Sequence, residues 1–369
     1  MSAPAPIPFI DLGPGEDEAA VRAAINRVVA RGWFVLGPEV DAFEHEFAAA
    51  SGAAFAIGVG SGTDAIALSL RALDIGVGDE VIVPAMTAAF TALAVIIAGA
   101  TPVLVDVEPD TLTMNANACL AAVTRRTRAI VPVHLYGQPA DMDAIRSVAS
   151  RHALAIVEDC CQAHLATESG IPVGTRSEAA AFSFYPTKNL GGVGDGGAVI
   201  TSNDAIASRI RQLRNGGQRE RGNHVEAGVN SRLDDLQAAV LRARLPLLPA
   251  WTIGRRALAG RYRQLLPESL RTIRERDAGH VYHLFPVLAP ERAELQAHLA
   301  AAGIDTMVHY PAALTQQPAF AAFASHECPV AVSAAGQLLS LPLSPRLTDE
   351  DIIRVADSVA AFAKGHRTA

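Results

Sequence analysis

The segment Gly78-Asp-Glu-Val-Ile-Val-Pro-Ala-Met-Thr-Ala-Ala-Phe-Thr-Ala-Leu-Ala-Val-Ile-Ile-Ala-Gly-Ala-Thr-Pro-Val-Leu-Val-Asp-Val107 holds, from Val81 to Val105, 25 residues without an Asp, Glu, Lys, Arg or His. That is membrane-spanning length. Pro84, Thr87, Thr91, Gly99, Thr101 and Pro102 divide it, however, and the acidic Glu80 and Asp106 flank it where a spanning helix would carry Lys or Arg. The reading that fits is a strand at Val81–Val83, a loop, a buried helix from about Ala89 to Ile97, and a strand at Val103–Val107. Buried core is therefore expected, and no membrane contact.

Outward from this segment the alternation continues. Further apolar runs begin at Ala56 and lie at Ala129–His134 and Ala155–Val157, each followed by a helical pattern. Such an order implies βαβ crossovers and a mostly parallel sheet covered by helices. Two helices precede it: Val21, Ile25 and Val28 stripe the first, which stops at Gly32, and Gly37-Pro38 opens the second with Val40, Phe43 and Phe47. After Pro246 and Pro249 a second unit is expected, with strands at Val281–Leu288 and Ile304–His309 and a helix at Glu291–Ala302. The division is a large domain over residues 1–248, including the N-terminal helical segment, and a small α/β domain over 249–369.

Composition agrees. Of 369 residues, 50% are apolar, 5% aromatic and 19% charged, which excludes a disordered chain and favours helices on buried strands. A net charge of −7 argues against a nucleic-acid partner, so any anionic ligand must meet a local basic patch. Cys119, Cys160, Cys161 and Cys328 show no metal-ligand spacing, and no metal is expected. A reduced, cytoplasmic protein is the simplest reading, since Met1–Pro8 has no signal-peptide pattern.

In an open parallel sheet, ligands sit beyond the carboxyl ends of the strands. Gly58-Val-Gly-Ser-Gly-Thr63 lies there. It is neither a dinucleotide fingerprint nor a P-loop, but a helix N-terminus with a Thr63 hydroxyl could hold one phosphate, or be an ordinary turn capped by Thr63. Glu158-Asp159 could serve as acid/base groups, as metal ligands, as a helix cap at Asp159, or as a carboxylate facing a pyridine nitrogen. In Phe182-Ser183-Phe-Tyr-Pro-Thr-Lys188-Asn-Leu-Gly191-Gly192, Lys188 lies between an inward polar candidate, Ser183, and a glycine cluster. A lysine there could form a Schiff base if desolvation lowers its pKa.

Together, the motifs GWFVLGPEVDAFE (32–44), GSGTDAIALSL (60–70), GDEVIVPAMT (78–87), VPVHLYGQPADM (131–142), EDCCQAH (158–164), FSFYPTKNLGGVGDGGAVIT (182–201), GVNSRLDDLQAA (228–239), GIDTMVHYP (303–311) and LSLPL (339–343) resemble the DegT/DnrJ-type nucleotide-sugar aminotransferases. These are fold-type I, aspartate aminotransferase-like enzymes dependent on pyridoxal 5'-phosphate (PLP). The resemblance implies that Lys188 carries the cofactor and moves the proton, and that Asp159 pairs with the pyridine nitrogen. Gln162 would lie near the phenolic oxygen, and Gly62, Thr63 and Ser183 would bind the phosphate. Asn230 would reach the phosphate from the second subunit of a homodimer. His309 and Tyr310 would lie near the sugar. The sequence departs from the family pattern at Ala88, where an aromatic often stacks on the cofactor, at Gln218–Gly222, and at Thr315–Pro318.

Arg209, Arg211, Arg214, Arg219 and Arg221 admit two readings. They could be a solvated face beside the stripe Ile206, Ile210 and Leu213, or a diphosphate clamp. Arg209 and Arg211 are expected at the surface, Arg219 or Arg221 at the substrate. His134 and His283 read as hydrogen-bonded core or interface residues. The expected reaction moves an amino group from L-glutamate to a keto-sugar nucleotide, leaning to a dTDP-3-keto-6-deoxyhexose. The alternatives are a 4-keto-sugar, a cyclitol ketone, or dehydration on the same scaffold, against which Lys188 argues.

Overall fold

The computed structural model describes residues 5–13 and 15–367. Helices α1 (Glu18–Arg31) and α2 (Pro38–Ser51) form as their apolar stripes require, and both end at left-handed glycines, Gly32 (φ 69°) and Gly52 (φ 74°). The crossover units follow in order: β1 (Phe55–Val59), α3 (Gly62–Ala72), β2 (Glu80–Pro84), α4 (Ala89–Ile97), β3 (Thr101–Val105), α5 (Ala116–Ala121), β4 (Thr127–Ile130), α6 (Met142–His152) and β5 (Ala155–Asp159). A small hairpin, β6 (Thr167–Glu168) and β7 (Ile171–Pro172), precedes β8 (Ala179–Ser183), β9 (Gly197–Thr201) and α7 (Asp204–Leu213).

Seven strands make one sheet in the order β1-β9-β8-β5-β4-β2-β3. β9 runs antiparallel to both its neighbours, and the remaining pairings are parallel. Period-2 burial distributes the apolar strands to both faces. Val81, Val83, Leu104 and Val157 join α3, α4 and α7 in one core, while Ile82, Val103, Val105 and Ile156 join α5 and α6 in another. The uncharged segment is thus core on both sides. Among the described residues, no helix is long and apolar enough to cross a membrane.

Beyond the sheet lie the hairpin β10 (Gln218–Glu220) and β11 (Asn223–His224), then α8 (Asp235–Arg244) and α9 (Leu248–Leu265). The C-terminal part carries β12 (Arg271–Thr272), β13 (Phe285–Leu288), α10 (Arg292–Ala301), α11 (Pro329–Gln337), β14 (Leu338–Leu341) and α12 (Asp349–Arg367), with β12, β13 and β14 in one antiparallel sheet. Its core joins Phe285, Leu339 and Leu341 to Tyr262 of α9, and also to Ile7.

Three sequence expectations fail here. The strand expected at 281–288 begins only at Phe285, because Tyr282 takes a left-handed backbone (φ 46°) and Val281 donates instead to Gly137 O at 2.9 Å. Residues 304–309 are not a strand, making only single bridges, Ile7 to Ile304 and Met307 to Ser340. Arg214 is not on a solvated face: it is buried, pairing with Glu44 and donating to Gly58 O at 2.7 Å.

Candidate active site

The site forms where β1, β5 and β8 end. Helix α3 starts at Gly62, and its cap is Ser61 rather than Thr63: Ser61 Oγ accepts from Asp64 N at 3.1 Å. A Cβ on Gly62 would come within 2.6 Å of Cys161 Sγ and 2.8 Å of Ser183 Cβ. Only glycine lets the first turn of α3 approach the ends of β5 and β8 so closely. The Thr63 hydroxyl makes no hydrogen bond among the described residues, and Ser183 Oγ accepts from Tyr185 N at 3.3 Å, leaving its own hydrogen to donate.

Glu158 and Asp159 point to opposite faces, as adjacent strand residues must. Glu158 faces the core, accepting from Ser177 Oγ (2.6 Å), Gly174 N (2.7 Å) and His134 Nε2 (2.9 Å), which hold its carboxyl below the ordinary range against the opposing effect of burial. His134 Nδ1 accepts from Ala140 N at 3.0 Å, so Nε2 carries the proton. His134, Glu158 and Cys160 cluster closely enough to suggest a metal, but the imidazole has no lone pair left to offer one. They form a hydrogen-bonded strut. Asp159 faces the site, its Oδ2 accepting from Thr91 Oγ1 at 2.8 Å and its Oδ1 from Cys161 N at 3.0 Å.

Lys188 lies in the long loop joining the antiparallel pair β8 and β9. That loop's glycines answer to backbone crowding. A Cβ on Gly197 would sit 2.4 Å from Ser61 C, and one on Gly191 2.4 Å from Pro186 O. The Lys188 amino group has no hydrogen bond or ion pair among the described residues. Desolvation lowers its pKa, opposed by the charges of Cys161 and Asp159. Nearby His164 and His309 are held neutral, His164 at about 3 and His309 at about 4, chiefly by burial and then by the Lys188 charge. His283 is buried and bonded to Asn189, as its core reading requires.

Gln162 is buried and bonded at both ends of its amide, with one Nε2 hydrogen left to donate. Its Oε1 accepts from Tyr136 N at 2.7 Å, and its Nε2 donates to Tyr310 OH at 3.0 Å. The Tyr136 hydroxyl donates to His309 O at 2.5 Å, so Gln162, Tyr310 and His309 are tied together. Tyr136 and Thr91 escaped the sequence reading: each is far along the chain from what it holds. Other expected residues lie apart. Arg219 and Arg221 line a separate concave surface with Trp33, Leu36 and Arg232, and the exposed Asn230 pairs through its backbone with Asn215. Phe90 is exposed at the start of α4.

The sequence pattern of the DegT/DnrJ/EryC1/StrS aminotransferase family matches residues 16–360. The chain belongs to that family. It is 49% identical over 365 residues, 97% of this chain and 96% of the relative, to the dTDP-3-amino-3,4,6-trideoxy-alpha-D-glucose transaminase of Streptomyces venezuelae. The crystal structure of S. venezuelae DesV in complex with a ketimine intermediate superposes with a TM-score of 0.95 at 48% identity, covering 98% of this chain and 99% of that one. Bacillus subtilis ntda, crystallised with bound cofactor PMP, gives a TM-score of 0.91 at 31% identity, covering 98% and 86%.

This member of the family is a PLP-dependent aminotransferase. Its residues suit the cofactor. A free helix N-terminus with two hydroxyls answers a phosphate dianion, the fixed Asp159 carboxylate answers a pyridinium, and a desolvated lysine with no ion-pair partner among the described residues answers an aldehyde.

Proposed function

We propose that this aminotransferase moves an amino group from L-glutamate to a keto-sugar nucleotide, with a dTDP-3-keto-6-deoxyhexose as the preferred class, in amino-sugar biosynthesis. PLP, when bound, supplies the electron sink for the charge left as a proton leaves the carbon beside the amino nitrogen. Lys188 holds the cofactor covalently and, once freed, moves that proton. Asp159 keeps the pyridine nitrogen protonated, and Thr91 keeps Asp159 oriented. Gly62, Thr63 and Ser183 bind the phosphate, and Gln162 lies at the phenolic oxygen. The observation that carries this reading is the meeting of a desolvated Lys188 with Asp159 beside the α3 N-terminus.

For the acceptor, the relative's 3-amino sugar nucleotide name supports a 3-keto substrate. His309 and Tyr310 face the sugar, and Arg219 and Arg221 take the diphosphate. The working unit is a homodimer in which Asn230 completes the partner's phosphate site. Large apolar side chains left at the surface, Trp33, Phe34, Tyr185 and Val193, support a second copy there. Each copy has a large cofactor domain over 1–248 and a small domain over 249–369, and works in the cytoplasm.

Visible spectroscopy tests the reading. The holoenzyme is expected to be yellow, to lose that colour with L-glutamate, and to regain it with a nucleotide 3-keto-sugar rather than with a 4-keto-sugar or scyllo-inosose. Recovery with scyllo-inosose alone would move the substrate class to cyclitols. A Lys188→Ala variant that still gave a borohydride-trappable adduct would remove Lys188 from its role.

A further inference from the structure

A cavity of about 660 Å³ opens between the N-terminal segment, the loop carrying Lys188, helix α9 and the turn at Ser344 to Arg346. Four cationic residues line it: Lys188, Arg244, Arg255 and Arg346. Two of them are neutralised from within the chain. Arg244 Nε holds Asp17 at 2.7 Å and its Nη1 the Gly191 carbonyl at 2.6 Å. Arg346 holds Asp11 at 3.2 Å and the Gly13 carbonyl at 2.6 Å. Lys188 is the lysine that the proposed function gives to the cofactor.

Arg255 is different. It is 5% exposed, and no carboxylate lies within ion-pair distance of it among the described residues. Its Nη1 donates to two main-chain carbonyls, Leu343 O at 2.9 Å and Tyr282 O at 3.3 Å. The opposite edge, Nε with Nη2, bonds to nothing among the described residues. Neither atom is sealed in the core, in contrast to Arg214 Nε, which is both buried and unpartnered. That edge is the two-donor fork that grips a carboxylate bidentately. Buried charges are normally paired, because stripping water from an unpaired guanidinium is unfavourable. Burial accordingly pushes the Arg255 pKa down to about 10. Arg255 and the cofactor lysine line the same cavity.

We infer that the Nε–Nη2 edge of Arg255 seats a carboxylate of the amino-acid donor, which makes this cavity the donor's approach to Lys188. The inference rests on the aminotransferase reading above and adds where the donor binds. A diphosphate fits this cavity poorly. One free fork stands there among the carboxylates of Asp11, Glu16 and Asp17, whereas the surface around Arg219, Arg221 and Arg232 offers three arginines.

The test uses PLP-loaded wild type, Arg255→Met and Arg255→Lys, with glutarate as an unreactive dicarboxylate probe in isothermal calorimetry. Both substitutions should weaken glutarate binding about 10- to 100-fold, the range for a lost charge-assisted bond. The L-glutamate concentration that half-saturates loss of the yellow colour should rise by the same factor. Re-oxidation of the aminated form by the keto-sugar should stay within about twofold of wild type, because that step needs no donor carboxylate. Unchanged glutarate affinity would overturn the inference. So would an equal slowing of both half-reactions, which marks Arg255 as a structural strut for the Leu343 and Tyr282 carbonyls. If Arg255→Met does not fold, Arg255→Lys decides alone, since it keeps a donor for those carbonyls without the fork. Arg255-dependent glutarate binding in an enzyme that aminates no nucleotide keto-sugar would leave the inference standing and remove the proposed acceptor.

Discussion

Thr91 donates to one oxygen of Asp159 while the Cys161 amide donates to the other, at 2.8 and 3.0 Å. Held at both oxygens, the carboxylate cannot rotate away from a pyridinium set against it. The Thr91 hydroxyl is itself within 3.1 Å of the Thr87 hydroxyl, so its direction is fixed in turn. Thr91→Val keeps the shape and removes this bond to a charged group, worth about 1.5–3 kcal/mol. A fall in kcat of about tenfold or more is expected, with KM for the keto-sugar little changed and the cofactor's visible spectrum shifted. A variant with unaltered spectrum and kcat would show that the Cys161 amide orients Asp159 unaided. Lys188, Asp159, Ser183 and Gln162 were legible in the sequence because each ends an apolar run or stands in a recognisable motif. Thr91 was not. It lies 68 residues before its partner, in the middle of a segment whose pattern speaks only of burial.

Among the elements, α1, α2 and α8 meet through Glu39, which is 2% exposed near the start of α2. It accepts from Arg27 at 2.8 Å, Arg31 at 3.3 Å and Arg242 at 2.6 Å. The hydrogen bond from Arg27, helped by Arg242, lowers its pKa from 4.5 to about 2 despite burial. A carboxylate whose folded pKa is depressed adds stability that is present above its unfolded pKa and lost as pH falls toward the folded one. Glu39→Gln should therefore destabilise the protein at pH 7 by about 1–2 kcal/mol, allowing for screening of the more exposed arginines. The gap between variant and wild type should close as pH drops from about 4.5 toward 2, which urea titrations at several pH values will show. A gap independent of pH would mean that packing, not charge, is what Glu39 supplies. Asp235 joins two of the same helices differently, accepting from Gly37 N at 2.7 Å and Glu39 N at 3.0 Å and so capping α2 from the first turn of α8. The stripes of α1 and α2 were readable, as were strands β1 to β5 of the main sheet, because burial on both faces leaves an unbroken apolar run. The failure at 304–309 has a different cause: the strand beside it offers one bridge, at Ser340, instead of a ladder.

For the whole molecule, one consequence of close packing is a set of four histidines withdrawn from solvent, His164, His280 and His283 buried and His309 half-buried. His164 and His280 are pressed down to about 3 and His309 to about 4, in each case first by burial, and His283 lies well below its ordinary 6.5 for the same reason. His164, His283 and His309 also share the repulsion of Lys188, whereas His280 feels Arg263 and Arg256. The sign follows from linkage. Below pH 6.5 the unfolded chain takes up protons on these four imidazoles, and the folded chain does not until about pH 4 or lower at His164, His280 and His309 and until well below 6.5 at His283, so stability declines as pH falls through that window. Each histidine contributes a slope of up to about 1.4 kcal/mol per pH unit, and the four together approach 5. Above pH 6.5 the four are neutral in both states and their effect on stability disappears. Thermal midpoints should then be nearly level from pH 8 to 7 and fall steeply between pH 6 and 4.5, with three to four protons taken up per chain on unfolding near pH 5. His280→Asn offers a check away from the cofactor residues: it should reduce that uptake by about one proton. Uptake below one proton per chain in the wild type would show that these imidazoles already titrate in the folded state.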